Sequence, residues 1–136
     1  MPGSVITLKE EIKQWILSHP ELKVIVDVGA GSGTYPKYVD WDNWGDDILD
    51  RKRFHEWIAI EIFEPYVELF KLKDFYDEIL IGDIYDRIDL PPVADLIIFG
   101  DILEHLDKDK ANYVLHKALK YYKHVIVSIP VDGREG

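Results

Sequence analysis

The segment Val24-Ile25-Val26-Asp27-Val28-Gly29-Ala30-Gly31-Ser32-Gly33 constrains the fold of this chain more than any other. A run of β-branched residues carries a single aspartate, and three glycines follow at alternate positions. A run so apolar on both faces reads as a buried strand of a parallel sheet, not as a strand with one wet side. Glycines spaced in this way let the backbone turn sharply and come close to a ligand. A helix opening directly afterwards would point its unpaired N–H groups at that ligand. The segment predicts a strand–turn–helix unit built around a nucleotide-like molecule.

The rest of the chain repeats the alternation. Thr7-Leu8-Lys9-Glu10 is a capping box, and Leu8, Ile12, Trp15 and Ile16 share one helical face, so a helix is expected over 7–18, ended by Pro20. Strand one is expected over Lys23–Val28, followed by a short helix from Gly33 to Val39 that Pro36 restricts or kinks. Trp41–Glu56 is polar and aromatic; its tryptophans, with Trp57, read as ordinary packing or as a lid. Strand two is Trp57–Glu61, and a helix opening at Glu64-Pro65 carries Val67, Leu69, Phe70 and Leu72. Strand three is Glu78–Ile81, and Pro91-Pro92 marks a loop before strand four, Asp95–Phe99. The last helix shows Ala111, Val114, Leu115, Ala118, Leu119 and Tyr122 on one face, and strand five is His124–Ile129. Strands alternating with helices imply parallel β-α-β units with helices on both faces, in a single α/β domain over 1–136 whose core spans 23–129. In such sheets the ligand lies at the carboxyl ends of the strands, so polar residues there are the site candidates.

Composition narrows the partners. With 136 residues, 47% of them apolar, the chain can bury a real core. It contains no cysteine, which excludes disulfides, thiolate metal sites and a cysteine nucleophile. The net charge of −10 repels polyanions, and Arg51-Lys52-Arg53 is too short a basic run to reverse this, so nucleic acid is not the expected partner. The apolar runs are far shorter than the ~20 residues of a membrane span. Met1 to Thr7 show neither the basic nor the apolar part of a secretory signal, and the expected location is the cytoplasm.

The glycine turn departs from the dinucleotide fingerprint G-x-G-x-x-G/A, because its sixth position is Thr34 and the third glycine, Gly33, comes one residue early. No Gly-Lys-Ser/Thr follows, which excludes a phosphate-binding P-loop. Asp27, two residues before Gly29, can draw a cationic ligand or orient water around it. Glu61 closes strand two, where a carboxylate typically accepts both hydroxyls of a ribose. Gly82-Asp83-Ile84 closes strand three; Asp83 could accept from an adenine amino group while Ile84 and Ile62 cover the ring, or the pair is an ordinary turn. Gly100-Asp101-Ile102-Leu103-Glu104-His105 closes strand four, where His105, one helical turn after Asp101, could serve as a general base, or Glu104 and His105 are helix-start residues and Asp101 a cap. A metal at Asp101 and His105 lacks a further ligand, and none is expected.

Taken in order, Asp27-Val28-Gly29-Ala30-Gly31-Ser32-Gly33, Ile60-Glu61-Ile62, Gly82-Asp83-Ile84 and Phe99-Gly100-Asp101-Ile102-Leu103-Glu104-His105-Leu106 resemble the ordered motifs of class I S-adenosylmethionine-dependent methyltransferases. The resemblance runs from about residue 24 to 129. It implies a three-layer Rossmann-like sandwich with a mostly parallel sheet in the order 3-2-1-4-5. It also implies roles by position. Asp27, Gly29, Ala30, Gly31 and Gly33 would line the methionine portion of S-adenosylmethionine, Glu61 would hold the ribose, and Asp83 and Ile84 the adenine with Ile62 nearby. Asp101 would contact the methionine amino group or the acceptor, with His105 on the acceptor side. The sulfonium and ammonium of that cofactor suit the acidic strand ends.

The same resemblance implies two further strands and a helix after strand five, and this sequence stops at Gly136 without strands 6 and 7. Strand five would then be an exposed apolar edge, and pairing of two copies through it is the expectation. The expected activity is methyl transfer to a small-molecule or protein acceptor. A binding module that holds S-adenosylmethionine or its homocysteine product without turnover is the alternative, and a nicotinamide-dependent oxidoreductase a more distant one.

Overall fold

The central strand, β1 (Val24–Val28), is flanked by β2 (Glu56–Glu61) and β4 (Leu96–Gly100), with β3 (Glu78–Ile81) and β5 (His124–Ser128) outside them. All four pairings are parallel, in the order β3-β2-β1-β4-β5. This computed structural model describes residues 11–29, 33–39, 55–89, 93–100 and 102–128, with backbone alone at Thr34, Lys37, Tyr38 and Glu104. Thr7, Leu8 and Glu10 of the expected capping box, the Trp41–Trp44 segment, Arg51-Lys52-Arg53, Pro91-Pro92 and Ile129 lie outside the described residues.

The strands form where β-branched and aromatic residues cluster, and they alternate faces. Ile25, Trp57, Ala59, Leu96 and Ile98 point to one side, where they meet Ile12 and Ile16 of α1 (residues 11–17), Tyr35 and Val39 of α2 (Thr34–Val39), and Leu72, Phe75 and Tyr76. Tyr66, Val67 and Phe70, from α3 (Pro65–Leu69) and its end, pack against this cluster. Val26, Val28, Ile58, Ile60, Ile97 and Phe99 point to the other side. There they meet Ile84 of α4 (Ile84–Arg87), Ile88, and Val114, Ala118 and Tyr122 at α5 (Lys108–Tyr121). The result is three layers, helix–sheet–helix, with a core on each face of the sheet.

Polar groups fix where elements begin. The Asp95 carboxylate accepts from the N–H groups of Lys23 and Val24 at 2.9 and 3.2 Å, tying the start of β1 to the turn before β4. Those two backbone bonds hold its carboxyl below the usual range, with Lys123 and Lys23 adding to the effect. Asp107 caps α5 through Oδ1, 2.9 Å from the Lys110 N–H.

Two details differ from the periodicity reading. Leu72 does not continue the helix after Pro65. The chain leaves α3 at Leu69, Lys71 adopts a left-handed φ of 52°, and Leu72 opens a separate 3-10 turn, Leu72–Asp74. The break turns Leu72, Phe75 and Tyr76 into the core, where all three are buried. Leu119 lies at the rim of its helical face, not within it, and is 64% exposed. Among the described residues no helix is long and apolar enough to cross a membrane.

Candidate functional site

A cavity of about 240 Å³ opens at the carboxyl ends of β1, β2 and β3. Val28, Gly29, Ile60, Glu61, Ile62, Gly82, Asp83 and Ile84 come from those strand ends, and Ile102, His105 and Leu106 close it from the segment after β4. Its walls are mainly apolar, with carboxylates at two strand ends and one imidazole. Glu61, Ile62, Asp83 and Ile84, the residues singled out from the sequence for an adenosine, thus line one space, although they come from two separate stretches of chain.

Backbone geometry makes the space. Gly29 donates its N–H to Ile60 O at 2.8 Å, continuing the β1–β2 ladder by one residue, and then turns with φ +72°. A Cβ there would meet Ile102 Cδ1 at an ordinary contact distance of 3.4 Å, so it is the left-handed backbone that a larger residue would strain. Gly82 turns out of β3 with φ +149°, where a Cβ would stand 3.0 Å from Arg87 Nε. Arg87 fills that corner, and its guanidinium donates to Ile81 O at 2.7 Å. Gly33 is left-handed too, with φ 77° at the start of α2. Ala30, Gly31 and Asp101 lie outside the described residues.

The carboxylates differ in setting. Glu61 is only 3% exposed although it lines the cavity, and its Oε2 accepts from the Phe63 N–H at 3.0 Å. That bond folds the turn after β2 and leaves Ile62 standing 62% exposed at the cavity rim. Asp83 is the N-cap of α4: its Oδ1 accepts from the Tyr85 N–H at 2.9 Å. The turn reading and the binding reading of Asp83 are therefore compatible, because capping occupies one of two carboxylate oxygens. His105 ends a 3-10 turn, Leu103–His105, and is exposed at the mouth.

Asp27 is placed differently. It shares its face of β1 with Ile25, opposite to Val28, and it is not among the residues lining the cavity. It is 1% exposed, and its Oδ2 accepts from the Tyr76 hydroxyl at 2.5 Å. Burial pushes the Asp27 carboxyl up to about 7; the Tyr76 hydrogen bond opposes that rise and the Glu61 charge adds to it. Burial likewise raises the Tyr76 phenol well above its ordinary value, helped by the Asp27 charge. Tyr76 is the residue that sequence patterns missed. It stands 49 positions from Asp27, and nothing in Phe75-Tyr76-Asp77 marks a phenol destined for a buried carboxylate.

A parallel 3-2-1-4-5 sheet covered by helices on both faces, with Glu61 and Asp83 at the carboxyl ends of β2 and β3, defines a Rossmann-like α/β fold. Solved structures agree with that description. A S-adenosylmethionine-dependent methyltransferase from Archaeoglobus fulgidus superposes with a TM-score of 0.61 at 20% identity, covering 93% of this chain and 51% of that one. The magnesium protoporphyrin IX methyltransferase of Synechocystis PCC 6803, solved with bound S-adenosylhomocysteine, gives 0.66 at 14% identity, covering 89% and 53%. An amino pentose methyltransferase from Micromonospora echinaspora, solved with bound S-adenosylmethionine, gives 0.62 at 11% identity, covering 93% and 51%. The chain spans about half the length of these proteins. No family profile matches the sequence, and no curated protein matches it.

Proposed function

We propose that this chain binds S-adenosylmethionine and forms the cofactor-binding, methyl-transferring part of a methyltransferase acting on a small-molecule or protein acceptor. The observation that carries the reading is the grouping of Glu61, Ile62, Asp83 and Ile84 around one cavity beside Gly29. The residues fit the group. Apolar side chains suit the two faces of an adenine, two carboxylates suit its amino group and a ribose diol, and about 240 Å³ suits a nucleoside better than a dinucleotide.

In this reading Glu61 accepts the ribose hydroxyls, and Asp83 accepts from the adenine amino group with the oxygen not used for capping. Ile62, Ile84, Ile102 and Leu106 exclude water from the ring. Asp27, Gly29, Ala30, Gly31 and Gly33 hold the methionine end. When bound, the cofactor supplies an electrophilic methyl group on a sulfonium. The chain's own contribution is alignment, together with removal of a proton from the acceptor by Asp101 or His105 where the accepting atom carries one. A second copy meeting the outer flank of β5 is part of the same proposal, and a monomer in sedimentation at micromolar concentration would remove it.

Calorimetric titration of the chain with S-adenosylhomocysteine and with NAD tests the binding reading. Binding of the first and not the second is expected, and the reverse would overturn it. Methyl transfer to any member of an acceptor panel, lost in Asp101→Ala, would separate an enzyme from a module that only binds.

A further inference from the structure

Gly82 and Asp83 follow β3 directly, and β3 lies at one edge of the sheet. Backbone groups of successive strand residues face opposite edges. Gly82 donates its N–H to Glu61 O at 3.0 Å, so Gly82 faces β2 and Ile81 faces the open edge. None of the described strands lies beyond that edge to satisfy the Ile81 carbonyl. Arg87 satisfies it instead, donating from Nη2 at 2.7 Å. The same side chain lies against Gly82, with Nε 3.0 Å and Nη2 3.7 Å from where a Cβ would stand. The backbone of Arg87 points back as well: its N–H donates to Asp83 O at 3.1 Å, beside that of Asp86 at 3.0 Å. Arg87 therefore grips Gly82-Asp83 from both ends, through the carbonyl before the pair and the carbonyl that closes it. Asp83 Oδ1 is held separately by the Tyr85 N–H at 2.9 Å. With its backbone and one oxygen fixed, Asp83 stands in the cavity wall with a single oxygen, Oδ2, left for a ligand.

We infer that Arg87 is a positioning residue for base recognition: its clasp on Ile81 and Gly82 sets Asp83 so that the cavity selects a 6-amino purine over a 6-oxo purine. This rests on the binding reading above, in which Asp83 accepts from the adenine amino group. A fixed carboxylate oxygen placed for an amino group meets the carbonyl oxygen of a 6-oxo purine lone pair against lone pair. A carboxylate free to swing would reach the neighbouring ring N–H of the 6-oxo base, and the distinction would fade. Selection thus depends on how firmly Asp83 is held, and Arg87 does much of the holding without lining the cavity itself.

Two substitutions separate the donor from the bulk. Arg87→Met keeps a stem that reaches the Nε position, so the corner beside Gly82 stays filled, but it offers Ile81 O no hydrogen bond. Arg87→Lys restores a donor of similar reach. In the ligand-free protein, NMR three-bond couplings report the χ1 rotamer of Asp83. Wild type and Arg87→Lys are expected to show one rotamer, and Arg87→Met an average over more than one. In the second arm, calorimetry compares S-adenosylhomocysteine with its counterpart carrying a 6-oxo purine. Wild type and Arg87→Lys are expected to prefer the 6-amino ligand by roughly tenfold or more, the scale of one hydrogen bond to a charged acceptor. In Arg87→Met the preference is expected to fall to roughly threefold or less. Asp83→Ser keeps a capping oxygen and removes the reader; it is expected to show no preference, and Arg87→Met added to it should change nothing further.

A single Asp83 rotamer in Arg87→Met, the same as in wild type, overturns the inference. Equal weakening of both ligands in Arg87→Met, with the preference kept, overturns it too, because that is what a purely structural arginine would do. Wild type that binds both ligands equally overturns base selection and leaves the binding reading standing. Wild type that binds neither refutes the binding reading, and base selection falls with it.

Discussion

Asp27→Asn should make this protein more stable at alkaline pH and not at acid pH. In the folded chain the Asp27 carboxyl keeps its proton to about pH 7, against an ordinary value of 3.8. Between those values the folded state binds more protons than the unfolded one, so stability falls as pH rises through the interval and levels off above it. The interval spans roughly three pH units, and at about 1.4 kcal/mol per unit the total is on the order of 4 kcal/mol. Asparagine cannot ionise, yet its side-chain oxygen can still accept the Tyr76 hydroxyl. The variant and the wild type should therefore have similar stability near pH 4 and diverge progressively, with the variant ahead by up to about 4 kcal/mol above pH 8. Urea denaturation at a series of pH values measures this, and the difference between the two curves cancels the titrating groups that do not interact with Asp27. A difference that stays constant from acid to alkaline pH would refute the account of Asp27 as a desolvated carboxyl. In the proposed function the same variant should also bind S-adenosylmethionine less well, since a neutral carboxamide offers a cation no compensating charge.

Three other perturbations follow from the site and its supports. Glu61→Gln should weaken S-adenosylhomocysteine binding at least tenfold in calorimetry, because hydrogen bonds to a charged acceptor are worth about 1.5–3 kcal/mol each. Gly82→Ala should lower the urea midpoint by the equivalent of roughly 1–2 kcal/mol, since φ is +149° and Arg87 Nε lies 3.0 Å from the new Cβ. Asp107→Ala should cost about 0.5–2 kcal/mol in the same assay through loss of the α5 cap, with no effect on ligand affinity.

The parallel sheet was legible because each strand announces itself locally: Val24–Val28 and Leu96–Gly100 are short apolar runs bounded by turn residues, and each is followed by a helix signal. The residues that gather at the cavity were legible for a related reason. Topology forces polar groups at successive strand ends into one place, so Glu61 and Asp83 could be assigned to a common site before any distance was known. Two kinds of information were not local. The burial of Leu72 depends on Lys71 taking a left-handed turn, which no periodicity signals, since non-glycine residues adopt that conformation only when tertiary packing holds them there. The partnership of Tyr76 with Asp27 depends on two side chains 49 residues apart meeting over the same face of the sheet. Asp27 itself was visible as an acidic residue before the glycines, but its setting away from the cavity follows from strand alternation and packing.

The order of the strands has a consequence for the nascent chain. The central strand β1 leaves the ribosome before both its neighbours, since the register pairs its Val24 with Glu56 and its Ile25 with Leu96. One flank of this apolar strand waits some thirty residues for a neighbour, and the other waits about seventy. Until β4 has left the ribosome the strand presents an open row of backbone donors and acceptors, the kind of edge on which growing chains aggregate. Parallel pairing over such separations also closes slowly. Slower translation between β2 and β4 would prolong that exposure, and aggregates trapped at this stage should contain chains arrested before Leu96.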